Sequence, residues 1–150
     1  GEDPDDIRQA IHIAHAEGFS VMAHANGAET VIAACEEKVD SIEHGAYLNE
    51  EALCAMAEAG TVWVPTLSTI GNLRGKGRFR EEEVEKILES AMKNVRRFAA
   101  LGGLIAPGTD AGAWAVPHGS LTEYALLLEA LGEDTDALLE KGITVIREKF

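Results

Sequence analysis

Apolar positions along the chain follow two rhythms, and the alternation between them predicts the architecture. After Asp3, a suitable N-cap, and Pro4 at the first helical position, Ile7, Ala10, Ile11 and Ala14 recur at helical spacing until Gly18. A short apolar run, Ser20–His24, then reads as a strand. The pattern repeats: a helix over AETVIAACEEK, a strand over VDSIEH, a helix over NEEALCAMAEAG with Asn49 as cap and Gly60 as stop, and a strand over Thr61–Thr66. A long loop, LSTIGNLRGKGRF, precedes the longest helix, EEEVEKILESAMKNVRRFAALGG, which is acidic at its start and basic near its end as the helix dipole favours. Leu104–Asp110 is the fourth strand, and Ser120 with Glu123 makes a capping-box pattern opening LTEYALLLEALG. The tail is read as a helix from about Thr135, running on through Ile143–Phe150.

Strand and helix alternating at this spacing mean βαβ units, a parallel sheet and right-handed crossovers. Four such units account for the chain as a single α/β domain over residues 1–150. With 46% hydrophobic residues it is expected to be globular. A formal net charge of −13 argues against nucleic acid and against an anionic membrane surface. Cys35 and Cys54 sit in alanine-rich helical stretches and read as reduced core residues. No apolar run is long enough to cross a membrane and no signal peptide is visible, so the expected setting is the cytoplasm. The chain opens Gly1-Glu2-Asp3 without an initiator Met, which suggests trimming or processing.

Three strands end in a potential ligand: His24, His44 and Asp110. Each lies at the C-terminal end of its strand, the rim where parallel α/β folds place their sites. Two imidazoles and a carboxylate suit zinc or a similar divalent metal. Any one of them alone reads better as a hydrogen-bonded strand end or a turn cap. Their convergence on one rim, each followed by a small residue (Ala25, Gly45, Ala111), is what points to a metal.

The ordered series AHA, IEHG, PT, GTDAG and PHG resembles the metal-dependent amidohydrolase superfamily, in its imidazolonepropionase, Xaa-Pro dipeptidase and carboxypeptidase-like branch. The resemblance runs from about Asp3 to about Gly132. It implies the C-terminal half, strands five to eight, of a (βα)8 TIM-type barrel. It also implies that His24 and His44 bind one metal, and that Asp110 binds another and shuttles the proton of the attacking hydroxide. A divalent metal lowers the pKa of its water and polarises the scissile carbonyl, which agrees with these roles. The family's His-x-His motif has no counterpart here, nor has its strand-four lysine. The chain is therefore expected to be incomplete as a hydrolase of small amide or peptide substrates.

Glu43 is expected to point away from the rim by strand alternation, held by backbone or an arginine. His12 and His15, on an outer helix, are not expected to bind metal. His118 is assigned to substrate contact, with a loop-fixing hydrogen bond as the alternative. Arg74, Lys76, Arg78 and Arg80 read first as a solvated loop and second as a grip for a substrate carboxylate. Trp63 should pack, and Trp114 is placed to wall a pocket. A rival reading is a catalytically silent half-barrel with two open sheet edges and an uncovered inner face. Such a unit would form a homo-oligomer or take a complementing N-terminal half. A flavodoxin-like anion binder is disfavoured because no glycine-rich phosphate loop opens a helix.

Overall fold

The computed structural model describes residues 3–68, 80–108 and 117–150, without the side chains of 117–122. Four strands, β1 (Met22–Ala25), β2 (Ser41–His44), β3 (Val62–Val64) and β4 (Leu104–Ile105), form one sheet in the order β1-β2-β3-β4. Every pairing is parallel. The helices are α1 (Pro4–Ala16), α2 (Ala28–Glu36), α3 (Glu50–Ala59), α4 (Glu81–Ala100), α5 (Pro117–Leu131) and α6 (Thr135–Lys149). This is the expected α/β succession of parallel βα units, half of a TIM-type barrel. No helix among the described residues is long and apolar enough to cross a membrane.

The local signals act as anticipated. Asp3 accepts from Asp5 N at 2.9 Å, and Asn49 accepts from Ala52 N at 2.9 Å. Gly60 ends α3 with φ +68°, a conformation glycine adopts without steric cost. The strands are shorter than the apolar runs, and β4 stops at Ile105 ahead of Pro107. Thr109 and Asp110 lie outside the described residues.

Residues at alternate strand positions divide between the two faces of the sheet. Ile42, Trp63 and Ile105 face the outer helices, where Leu53, Val95 and Phe98 complete the main core. The Trp63 and Phe98 rings meet edge to face, with centroids 5.5 Å apart. Val62, Val64 and Ala106 lie on the other face and form a second cluster with Ile143, Val145 and Ile146 of α6.

Two sequence expectations change here. The opening of α5 is not a capping box at Ser120: the helix already begins at Pro117, and Glu123 is spent on a distant contact described below. Nor are the inner face and the β4 edge bare. Ala106 N donates to Trp63 O, so the carbonyl of the same trans peptide, Ile105 O, points to the free edge. Gly142 of α6 sits against that carbonyl so closely that a Cβ there would lie 1.9 Å from the oxygen. The helix then runs beneath the sheet, and Lys149 Nζ donates to Asp40 O at 3.3 Å and Gly60 O at 3.0 Å. Ser20 Oγ donates to Lys149 O. Among the described residues the β1 side has no such cover, and Phe19 and Met22 are 68% and 40% exposed.

Candidate metal centre

The site grows out of strand register. In the parallel β1–β2 pair His24 stands beside Glu43, and Ala25 beside His44. Paired residues share a face, so Glu43 turns toward His24 and not away from it. Its carboxylate Oε2 lies 3.2 Å from His24 Nε2. This corrects the expectation of a backbone or arginine partner. Alternation should then carry His44 to the opposite face, but its φ of +72° breaks the strand and brings its ring back. His44 Nε2 comes within 3.1 Å of His24 Nδ1.

Gly45 makes the exit possible, since a Cβ there would lie 2.7 Å from Trp63 Nε1. That indole nitrogen donates to His44 O at 3.0 Å and fixes the strand end. The loops after β1 and β2 are joined: Gly45 N donates to Ala25 O, Gly27 N to Ala46 O, and Ala46 N to Asn26 Oδ1.

The far nitrogen of His44, Nδ1, meets Thr66 Oγ1 at 2.7 Å. Thr66 follows β3 and has φ +49°, a left-handed backbone that a β-branched residue rarely adopts. Just beyond it, Leu67 N and Ser68 N both donate to Glu123 of α5, at 3.0 and 2.7 Å. Glu123 is 1% exposed, so its buried charge is offset by those two amides. A cavity of about 320 Å³ opens beside His44, lined by Asn26, Trp63, Pro65, Thr66 and Ala91 among others.

His24, Glu43 and His44 each offer one ligand atom, and the three atoms lie within 4.8 Å of one another. Two imidazoles and a carboxylate at that spacing fit a divalent transition metal. His24 is more than half exposed while Glu43 is buried, so the cluster opens to solvent on one side only. The structure thus brings together two of the three residues that the sequence offers as candidate ligands, His24 and His44. Asp110 lies outside the described residues, as do the side chain of His118 and Arg74, Lys76, Arg78 and Trp114. Trp63 packs as expected. His12 and His15 stay away from the rim, beside Glu37 and Asp40 respectively. Sequence reasoning missed Glu43, Thr66 and Glu123. Only Glu43 left a usable signal, its place one residue before a strand-end histidine.

No family model matches the chain. An uncharacterized protein of Mycobacterium tuberculosis is 29% identical over 134 residues, 85% of this chain and 36% of that protein. The ochratoxinase of Aspergillus niger is 29% identical over 112 residues, 71% of this chain and 23% of that enzyme. Among solved structures, a Xaa-Pro dipeptidase with methionine bound in its active site superposes with a TM-score of 0.74 at 26% identity, covering 98% of this chain and 38% of the dipeptidase. A prolidase complexed with N-methylphosphonate-L-proline gives 0.68 at 28% identity, covering 99% of this chain and 37% of the prolidase. The chain thus spans well under half the length of each of these relatives. Motif order, parallel topology and these superpositions agree: the chain is similar to members of the amidohydrolase superfamily and matches a partial region of them.

Proposed function

We propose that the chain contributes half of a metal-dependent active site that hydrolyses amide-type bonds, cyclic or peptidic, in small substrates. The observation that carries this reading is the approach of His24 Nδ1 and His44 Nε2 to 3.1 Å beside a buried carboxylate. His24 and His44 would hold the cation, with Asp110 as a further ligand. Bound there, a divalent ion such as zinc activates a water and polarises a carbonyl. Asp110 takes the proton from the attacking water and returns it to the leaving amine. His118, in the first turn of α5, contacts substrate. The similarity to a Xaa-Pro dipeptidase and to a prolidase supports short peptides as the first substrates to screen. The cytoplasm is the proposed setting, in keeping with two free cysteines.

A second reading has its own observation. The exposed Phe19 and Met22 lie beside the uncovered β1 edge, which suits a second copy or a complementing N-terminal half-barrel. The deciding experiment measures intact mass, oligomeric state and bound metal on one sample, then screens dipeptides and small amides. About one zinc per chain with turnover, alone or with a co-purifying polypeptide, supports the hydrolase. A defined dimer without metal supports the silent half-barrel and overturns it.

A further inference from the structure

The three contacts along the rim form one line: Glu43 Oε2 to His24 Nε2 at 3.2 Å, His24 Nδ1 to His44 Nε2 at 3.1 Å, and His44 Nδ1 to Thr66 Oγ1 at 2.7 Å. Hydrogen-bond roles along that line are constrained. A carboxylate only accepts, so His24 carries its proton on Nε2 and presents a lone pair at Nδ1. His44 Nε2 faces that lone pair and must donate to it. The Nδ1 of His44 is then bare and accepts from the Thr66 hydroxyl. Each of the three contacts then has one donor and one acceptor.

A metal held between the same two imidazoles requires a different state. Both facing nitrogens must offer lone pairs. His24 already does, because Glu43 holds its proton on the far side. His44 must move its proton from Nε2 to Nδ1, and that proton needs an acceptor. Thr66 Oγ1 is the atom in place. A hydroxyl both donates and accepts, so this atom can pair with His44 Nδ1 in either state. The proton count of His44 is unchanged; only its position moves.

We infer that Thr66 is a positioning residue that sets the tautomer of His44, with Glu43 doing the same for His24, so that the pair presents Nδ1 and Nε2 to a divalent cation. Groups behind metal-bound histidines act in this way in general. The backbone supports the assignment. Thr66 keeps a left-handed φ of +49°, and Glu123 fixes the two amides that follow it. His44 is also left-handed, so the two unfavourable conformations face each other across one hydrogen bond. The inference rests on the metal reading above, with Glu43 placed behind His24 and not as a direct ligand, and adds the residues that tune it.

The test uses the intact chain with nitrogen-15-labelled histidine, at about pH 8, where ordinary imidazoles are neutral. Two-bond proton–nitrogen spectra identify which nitrogen of His44 carries the proton, before and after zinc is added. The expected result is Nε2–H without zinc and Nδ1–H with it. In parallel, zinc affinity is measured by competition with a chromogenic chelator. Thr66→Val keeps the β-branched shape and loses the hydroxyl, and should weaken zinc binding about 10- to 100-fold, while Thr66→Ser should stay within about threefold. Zinc bound with His44 still protonated on Nε2, or bound equally by Thr66→Val, overturns the inference and leaves the hydrolase reading standing. Failure of the unsubstituted chain to take up zinc overturns both. The tautomer comparison needs no variant, so it holds even where a substitution harms folding.

Discussion

The two ends of the sheet carry the same chemical pair in opposite circumstances. Where the strands begin, His15 Nε2 meets Asp40 Oδ2 at 2.9 Å. Where they end, His24 Nε2 meets Glu43 Oε2 at 3.2 Å. Asp40 also accepts from Val21 N at 2.8 Å and has Lys149 Nζ at 4.0 Å from its other oxygen. Its charge is well compensated, and α6 closes that end. The more deeply buried Glu43 has an imidazole for a partner, and that imidazole faces another imidazole. A carboxylate with two hydrogen-bond partners and an ammonium nearby is a fastening. One buried beside two metal-ligand types is better matched to a cation than to the folded chain alone.

Substitutions at the closed end should mainly change stability, and those at the open end mainly metal uptake. The largest effect is expected from Gly142→Ala, which would drive a methyl into Ile105 O. The cost should be about 3 kcal/mol or more, because backbone cannot move aside as a side chain tip can. A fall in the urea midpoint measures it, and an unchanged midpoint would mean that α6 does not lie across β4.

His24→Ala should abolish zinc uptake yet shift stability by only about 0.5 kcal/mol, as befits an exposed side chain. His15→Ala should do the reverse, retaining zinc and losing about 1–2 kcal/mol with its bond to Asp40. Equal zinc loss in both variants would erase the distinction between the two ends.

The carboxylates allow a finer comparison. Asp40→Asn should cost roughly 1.5 kcal/mol, since charged acceptors hold their donors more strongly. Glu43→Gln should be neutral or slightly stabilising, by up to about 1 kcal/mol, because it removes a buried charge with little compensation. Chemical denaturation of the pair decides; a larger loss for Glu43→Gln contradicts the reading.

The smallest effect concerns Cys35. Burial pushes its thiol from 9.0 up to about 11, partly opposed by a contact with Thr61. The folded chain therefore holds this proton more tightly than the unfolded one. The resulting stability is fully present below about pH 9 and is lost as pH rises toward about 11. Comparison of the native chain with Cys35→Ala across that window should show a gap that narrows as pH rises. Cys54, partly exposed, should react with iodoacetamide first.

How much of this was legible in the sequence depended on how local each cause was. Caps at Asp3 and Asn49 and the stop at Gly60 act within a few residues, and all were readable. His24 and His44 were readable because strand ends are. Glu43 was misread because alternation assigned it and His44 to opposite faces, and nothing in the letters announces a left-handed histidine. Thr66 stood in the PT motif, but nothing in the letters announces its left-handed backbone or its bond to His44. Glu123 carried a misleading local signal, a capping box, whereas its partners lie 55 and 56 residues away. The crossing of α6 left one trace, a glycine inside a helix, which is unfavourable there without a close contact to justify it.

Glu123 also bears on the order of folding. Each βα unit joins neighbours in the chain and can form early, whereas the amides after Thr66 wait for a helix more than fifty residues downstream. The segment that holds His44 should therefore mature after the sheet has paired. In a refolding experiment, the capacity to capture zinc would appear later than secondary structure, and the metal would report completed docking of α5.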